Sequence, residues 1–173
     1  LARGDLFFAL HQFQKALNDY NEAIRMLPGS ALAYHNRGAT FHCIKKLQEA
    51  LDDYNRAIQI DPGFSFAFYN RGNAHYELGQ LNAALADFEQ AIKLTPTNAD
   101  AFHNRGIAYS KLGMFDEAIT DFTYVLHLDP NYAEAYYNRH LAYLQRGAPG
   151  DDRLAKADMD HYRRLTGPVA RSR

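Results

Sequence analysis

An asparagine followed directly by an arginine recurs at equal intervals along this chain of 173 residues. The triplet Asn-Arg-Gly occupies residues 36–38, 70–72 and 104–106, and Asn-Arg-His occupies residues 138–140. An amide carries both a hydrogen-bond donor and an acceptor, whereas a guanidinium presents several donors to a carboxylate or a phosphate. The two residue types therefore predict two kinds of interaction, each repeated once in four successive periods of the sequence.

An aspartate follows each of four arginines sixteen residues later. The pairs are Arg3 and Asp19, Arg37 and Asp53, Arg71 and Asp87, and Arg105 and Asp121. A guanidinium that packs against a second helix needs a hydrogen-bonded carboxylate to offset its desolvation, and a bidentate ion pair provides one. The spacing therefore favours structural ion pairs. The other interpretation is a stripe of arginines that binds phosphate or nucleic acid, and the matching aspartates argue against it.

Each period contains two helical patterns that would position these side chains. Apolar residues recur at three-and-four spacing from residue 66 to 78 and again from 81 to 94. Gly79, Gly113 and Gly147 predict left-handed residues that end the first helix, with His11 and Lys45 in that place in the first two periods. Pro96 predicts the end of the second helix. Each period is therefore a helical hairpin, which must stack on its neighbours to cover its apolar faces.

Small residues predict where the two helices of a hairpin approach each other closely. Gly72 is expected to lie at the level of Ala84 on the second helix, with Phe88 and Tyr76 filling the spaces between. The same positions recur in the other periods at the interval that separates the asparagines. A fixed interval of this length indicates a fold built from stacked structural repeats.

The chain resembles the tetratricopeptide repeat (TPR) family in a set of residues that fills each period. In the third period this set comprises Phe68, Gly72, His75, Ala84, Phe88, Ala91 and Pro96. The resemblance implies an all-α fold, a right-handed α-solenoid of about five antiparallel helical hairpins with a C-terminal capping helix. We expect a single array over residues 1–166 and a flexible basic tail over residues 167–173. The expected repeats are about 1–30, 31–64, 65–98, 99–132 and 133–166.

Two departures from the pattern occur towards the end of the chain. Val125 replaces a small alanine, which predicts a slightly looser junction between repeats. His140 replaces the glycine of the fifth repeat, and the helix expected at about Asp151 to Leu165 begins about three residues late. This helix is interpreted as a terminal cap. Because the first repeat begins in the middle of its first helix, we also expect the chain to be a piece of a longer protein.

The resemblance implies a binding groove lined by the first helix of each repeat. In TPR superhelices, the position of Asn36, Asn70, Asn104 and Asn138 typically faces this groove. First helices about 10 Å apart would place one amide beside roughly every third residue of an extended peptide, which rises ~3.3 Å per residue. The arrangement resembles the asparagine ladder of O-linked N-acetylglucosamine transferases. The other interpretation is that the amides bond a neighbouring helix or face water.

Aromatic and histidine side chains accompany the asparagines and are also expected to face the groove. They are His35, Tyr69, His103 and Tyr137, and seven residues further along the same helices His42 and Tyr76. Such side chains suit a peptide with apolar or aromatic anchors, and the other interpretation is that some of them pack between repeats. TPR proteins that bind acidic chaperone tails carry cations four residues before the asparagine. Here Leu32, Phe66, Asp100 and Glu134 occupy that place, which favours a neutral or basic partner.

No pattern in the sequence predicts catalysis. His35 and His42 are seven residues apart without a third ligand at a usual spacing, and Cys43 has no catalytic signature around it. The formal net charge of −1 gives no reason to expect nucleic acid or a membrane as partner. We therefore expect a non-enzymatic cytoplasmic protein without metal or cofactor.

The sequence favours a module that binds a peptide segment of a partner protein in its groove. The alternative is a structural or self-assembly scaffold that joins subunits through its stacking ends or its convex face. In that case the chain would associate with copies of itself.

Overall fold

The computed structural model describes residues 1–167, and the remainder of the predicted tail, residues 168–173, lies outside the described residues. The described part contains ten α-helices and no strand. They are α1 (Ala2–Ala9), α2 (Phe13–Met26), α3 (Ala31–Cys43), α4 (Leu47–Ile60), α5 (Ser65–Glu77), α6 (Leu81–Leu94), α7 (Ala99–Lys111), α8 (Phe115–Leu128), α9 (Ala133–Arg146) and α10 (Asp151–Thr166). The predicted all-α fold of helical hairpins is confirmed.

The helices form two compact units. The first unit, Leu1–Pro96, contains the hairpins α1–α2, α3–α4 and α5–α6, and each second helix packs against the first helix of the next hairpin. The second unit begins at Thr97 and contains the hairpins α7–α8 and α9–α10, with α8 packed against α9. Within each unit the first helices of successive hairpins also touch, α3 against α5 and α7 against α9.

The turn inside each hairpin has the left-handed residue that the sequence predicts. Its φ angle is 73° at Gly79, 76° at Gly113 and 64° at Gly147, and it is 55° at His11 and 62° at Lys45. A side chain at such a φ brings Cβ close to the following carbonyl oxygen, which glycine avoids. The first two hairpins therefore adopt the same turn as the others with less favourable residues.

The helices of each hairpin approach closely where a glycine faces an aromatic ring. A Cβ added to Gly72 would lie 2.7 Å from Cε1 of Phe88, and one added to Gly106 would lie 2.7 Å from Cε1 of Phe122. The expected close approach at Gly72 is present, and the Phe88 ring, predicted to fill the adjoining space, lies nearest to the glycine. Phe88 and Phe122 are both fully buried.

Small residues on the first helices make the contact between successive hairpins. Ala74 of α5 packs with Ala50, Leu51 and Tyr54 of α4 in one buried cluster. In the second unit Ala142 of α9 packs on α8 in the same way. Val125 is fully buried beside Ala135 of the next hairpin. One face of α4 and one face of α8 are thus covered by the hairpin that follows each of them in its unit.

The last hairpin differs from the others where the sequence departs from its period. The left-handed Gly147 follows the last residue of α9, Arg146. A second left-handed glycine, Gly150, precedes α10. His140, which replaces the usual glycine, has its Nδ1 2.8 Å from the carbonyl oxygen of Ala155 on α10. None of the described helices is both long enough and apolar enough to span a membrane.

Candidate binding site on the first helices

The arginine after each asparagine connects three helices. Nε and Nη2 of Arg37 on α3 donate to the two carboxylate oxygens of Asp53 on α4, at 2.8 and 2.6 Å. Nη1 of the same side chain donates to Oδ1 of Asn21 on α2, at 2.7 Å. The hydrogen bond with Asp53 raises the pKa of Arg37. Arg37 therefore stays charged and ties its own hairpin to the preceding one.

The same connection recurs in the other repeats. Arg71 donates to Asp87 of its own hairpin and to Asn55 of the preceding hairpin, and Arg105 donates to both oxygens of Asp121. The side chains of Arg37, Arg71 and Arg105 are only 18–22% exposed. The aspartate that each of them binds is nearly buried. The guanidiniums are therefore committed to the scaffold instead of forming a phosphate-binding stripe.

Sequence spacing did not reveal the partner of the fifth arginine. Arg139 donates to both oxygens of Asp158, nineteen residues later, and its Nη1 donates to Thr123 of α8. The three extra residues match the late start of α10. The predicted delay of this helix was the signal that would have identified Asp158.

Asparagine amides of one repeat bond the histidine of the preceding repeat. Nδ2 of Asn70 lies 2.8 Å from Nε2 of His35, and Nδ2 of Asn138 lies 2.9 Å from Nε2 of His103. Each of these contacts connects two first helices within one unit. Of the two interpretations left open by the sequence, a bond from the amide to a neighbouring helix is therefore present at these two asparagines.

The contacts of His35 define its protonation state. Its Nδ1 lies 3.0 Å from Oδ1 of Asn36, which only accepts, so Nδ1 carries the proton and Nε2 accepts from Asn70. Burial lowers the pKa of His35, which favours this neutral form. Burial also lowers the pKa of His103, which makes a side-chain hydrogen bond with Asn104.

The hydrogen bonds of the first unit continue to α1 and α2. Nδ2 of Asn36 donates to Oδ1 of Asp5 at 2.9 Å, and the Tyr20 hydroxyl donates to the same oxygen at 2.8 Å. Together with the contacts of His35, these bonds form a continuous polar chain from Tyr20 through Asp5, Asn36 and His35 to Asn70. We call it the polar chain, and it fixes the amides of the first unit in orientation.

The remaining predicted groove residues have several different environments. His42 Nε2 lies 2.9 Å from Oε1 of Glu77 on α5, and Lys45 donates to the other oxygen of Glu77 at 2.7 Å. The Tyr69 ring lies 6.2 Å from the Phe88 ring. Tyr137 is exposed beside Tyr162, and Tyr76 is half-buried. His42 thus takes part in a contact between hairpins, as the second interpretation of these side chains allowed.

Two of the asparagines retain hydrogen-bonding capacity beyond the scaffold. Oδ1 of Asn70 and Oδ1 of Asn138 make no hydrogen bond within residues 1–167, and each amide nitrogen uses one hydrogen on a histidine. Both side chains are partly exposed. An amide held in this way can offer one acceptor and one donor to a peptide bond from outside.

A small pocket lies between α1, α2 and α3, at the start of the polar chain. Its volume is about 190 Å³, and it is lined by Asp5, Phe8, Tyr20, His35, Asn36 and Ala39. Sequence reasoning did not single out Asp5. The available signal was its charge, since the corresponding positions of the later repeats hold Ala39, Asn73, Ile107 and Leu141.

Metal-ligating side chains do not gather in the part of the chain that the structure describes. Among residues 1–167 no three His, Cys, Asp or Glu side chains come close enough together to hold a metal ion.

Three models of one family match most of the chain. The model described as "TPR repeat" matches residues 4–43 and 72–113, and two models described as "Tetratricopeptide repeat" match 31–64, 99–132 and 53–86. Together these matches extend over residues 4–132. No individual curated protein sequence matches the chain.

Solved structures of TPR proteins have a similar fold. A chain of MamA from Desulfovibrio magneticus RS-1, residue 41 to the end, aligns with a TM-score of 0.87 at 17% identity, covering 95% of this chain and 91% of that one. YrrB, described as a TPR protein with an unusual peptide-binding site, aligns with a TM-score of 0.80 at 24% identity, covering 94% of this chain and 82% of YrrB.

A third structure shares somewhat more sequence over a shorter length. It is the first TPR of Spaghetti (RPAP3) bound to the HSP90 peptide SRMEEVD, with a TM-score of 0.67 at 28% identity, covering 68% of this chain and 94% of that one. The constant period of the sequence, the stacked hairpins and the family matches all indicate the same repeat fold. The chain belongs to the tetratricopeptide repeat family.

Proposed function

We propose that this chain is a protein-interaction module that binds an extended peptide segment of a partner along its first helices. TPR domains are generally interaction scaffolds without catalytic activity, and the Spaghetti domain is a relative with a peptide bound. The observation that carries the proposal is the state of the Asn70 amide. His35 holds one N–H of this amide, which leaves the carbonyl oxygen and the second N–H for a ligand.

An amide whose orientation is fixed before binding loses less conformational entropy when it meets a ligand. The polar chain provides this orientation for Asn36 and Asn70, and His103 provides it for Asn138. Recognition through peptide bonds accepts many sequences, so neighbouring side chains have to supply the selectivity. Tyr76 and the exposed Tyr137 are the aromatic surfaces that we assign to apolar anchors of the partner.

The partner segment is proposed to be neutral or basic. The HSP90 peptide in the Spaghetti complex is acidic, and such a peptide needs cations in the binding face. In this chain Asp100 and Glu134 stand on the first helices four residues before an asparagine. The peptide SRMEEVD therefore serves as a negative probe, for which we expect no measurable binding.

The test uses peptides selected from a random phage-displayed library on the complete chain. Affinities of the selected peptides are then measured by calorimetry for the wild type and for Asn70→Ala. We expect Asn70→Ala to weaken binding by about 1 kcal/mol, the net value of a typical hydrogen bond. The matched control is Asn82→Ala, at an exposed position of α6, which should bind as the wild type does.

Two results would overturn the proposal. The first is a selection that yields no peptide, and the second is equal affinity of the selected peptides for Asn70→Ala and the wild type. Circular dichroism melts show whether each variant is folded at the assay temperature. Binding of SRMEEVD comparable to that of the selected peptides would refute the assigned charge preference.

A second candidate function is self-assembly through the outer face of the first hairpin. The Arg3 side chain is 75% exposed, whereas the corresponding Arg37 is 22% exposed beneath its preceding hairpin. Leu6 is 57% exposed, although its equivalents Thr40 and Ala74 are fully buried. The outer face of the first hairpin therefore exposes residues whose equivalents in later hairpins are covered by the preceding hairpin.

Light scattering over a dilution series tests the second candidate. Self-assembly predicts a mass that rises with concentration and a monomer after Leu6→Gln, which makes the exposed face polar. A monomer at every concentration would exclude it. The matched control is Leu154→Gln at another exposed leucine, on α10, which should leave the mass unchanged.

A further inference from the structure

The pocket between α1, α2 and α3 has the size of a subsite for one side chain. Its volume of about 190 Å³ exceeds the ~30 Å³ that one water molecule occupies in the liquid, and it is smaller than the roughly 300–1,000 Å³ of sites for drug-sized ligands. Asn36 and His35 of α3 form part of its lining, so it adjoins the proposed path of the peptide. A side chain of the bound segment is therefore the natural occupant.

The pocket carries one negative charge without a cationic partner. Oδ1 of Asp5 accepts hydrogen bonds from Tyr20 and Asn36, whereas Oδ2 makes no hydrogen bond and no ion pair within residues 1–167. The nearby Arg3 is already bound bidentately to Asp19. The carboxylate of Asp5 is thus held in place by two neutral donors, and its second oxygen remains available to a ligand.

The rest of the lining is apolar or neutral. Phe8 and Ala39 line the pocket together with the buried Tyr20, and His35 is in the neutral form that its hydrogen bonds define. Lysine and arginine side chains combine an apolar stem with a charged end, and they bury the stem against apolar surface while the charge remains hydrated or paired. Their chemistry complements both parts of this lining, whereas an acidic side chain would be repelled by Asp5.

We propose that this pocket binds a lysine or arginine side chain of the partner segment, with the stem against Phe8 and Ala39 and the cationic end paired with Oδ2 of Asp5. The inference rests on the proposed function and names the residue type that the first unit selects. It assigns to Asp5 a direct contact with the partner. The polar chain then positions both the charge of the subsite and the amides beside it.

The first experiment compares the wild type with Asp5→Asn. Asparagine retains Oδ1 as acceptor for Tyr20 and Asn36 and removes only the charge, so the fold is expected to persist. Selected peptides should contain one required Lys or Arg, and Asp5→Asn should weaken their binding about tenfold at low salt. Asp52→Asn, which removes an exposed charge on α4, is the matched control and should change little. Ala39→Leu, which fills the pocket without touching the charge, should also weaken binding.

The second experiment tests the pocket without a selected peptide. N-acetyl-arginine-N-methylamide and its uncharged citrulline counterpart are titrated at millimolar concentration into the isotope-labelled chain. We expect the arginine probe to shift the amide resonances of Phe8 and Ala39, and we expect the citrulline probe and the Asp5→Asn variant to show no such shift. Titration of the corresponding lysine derivative shows which of the two cationic side chains binds the pocket more tightly.

The outcomes separate this inference from the proposed function. Selected peptides that need Asn70 but contain no required basic residue would overturn the subsite and support peptide binding. A failed selection together with arginine-specific shifts that depend on Asp5 would support the subsite and overturn the peptide module. Equal shifts with arginine and citrulline, or shifts that persist in Asp5→Asn, would overturn the subsite directly.

Discussion

Nδ2 of Asn70 lies 2.8 Å from Nε2 of His35, a residue of the preceding repeat. The bond requires that the imidazole proton of His35 is on Nδ1, so that Nε2 can accept. Nδ1 donates a hydrogen bond to Oδ1 of Asn36 at 3.0 Å. A doubly protonated His35 has no acceptor for Asn70. This hydrogen bond between the second and third hairpins therefore requires a neutral imidazole.

This dependence predicts a loss of stability in acid. Burial lowers the pKa of His35 and His103 in the folded chain below the value of about 6.5 in an unfolded one. The unfolded chain therefore binds more protons between the two values, and the free energy of unfolding falls as the pH falls through that window. Each histidine contributes at most about 1.4 kcal/mol per pH unit.

The measurement is the unfolding free energy from pH 7.5 to 5 for the wild type and for His35→Tyr with His103→Tyr. Tyrosine stands at the same position in the third and fifth repeats, as Tyr69 and Tyr137. We expect the double variant to lose stability less steeply over the window. An unchanged slope would contradict the role of the two histidines, and His127→Tyr, at an exposed position, is the control.

Loss of an arginine clamp should destabilise the chain strongly. Arg71→Gln leaves the nearly buried carboxylate of Asp87 without its cation and also removes the hydrogen bond to Asn55. Breaking a fully buried pair costs about 3–5 kcal/mol, so we expect about 2–4 kcal/mol for this partly exposed one. Urea denaturation measures the effect. The exposed pair of Arg25 and Glu22 is the control, and Arg25→Gln should cost less than about 1 kcal/mol.

Gly72 should not tolerate even an alanine. The added Cβ would lie 2.7 Å from Cε1 of Phe88, so the buried ring has to move, at about 1–3 kcal/mol. Thermal denaturation of Gly72→Ala measures this. Gly29→Ala places its Cβ in open space and should be close to neutral. Because the strain comes from the ring, Phe88→Leu should cost less in the Gly72→Ala background than in the wild type.

His11 should be improved by glycine. Its φ of 55° is a left-handed conformation, in which a non-glycine residue costs roughly 1–2 kcal/mol, whereas glycine loses more entropy on folding. We expect His11→Gly to raise the free energy of unfolding by about 0.5–1 kcal/mol. His11→Ala retains the Cβ and should give no such gain. Equal stability of the two variants would show that the turn is not strained.

Much of the fold was predictable from local patterns. The repeat period, the helix ends at Pro96 and Gly79, and the late start of α10 all follow from residue types within a single repeat. The close approach at Gly72 was predicted with Phe88 among the side chains that fill the adjoining space, and the Phe88 ring does lie nearest to the glycine. Its distance from the backbone was not predictable, because it depends on how closely α5 and α6 pack.

The candidate site was predictable only in part. The sequence identified Asn36, Asn70 and His35 as residues of one face, and it left open whether the amides meet a ligand or a neighbouring helix. The structure places Nδ2 of Asn70 on His35 and Nδ2 of Asn36 on Asp5. Asp5 was not predicted as a site residue, because an acidic residue that occurs in only one repeat is not part of a periodic pattern.

The sequence by itself determined the all-α fold, the hairpins and the spacing of the arginines from their aspartates. These features repeat with the helical period, and they depend on the local geometry of one hairpin. The tertiary structure alone decided which polar atoms meet between hairpins, including the polar chain and the pocket beside Asp5. Such contacts require atoms about 3 Å apart on different helices, and that distance depends on how closely the hairpins pack.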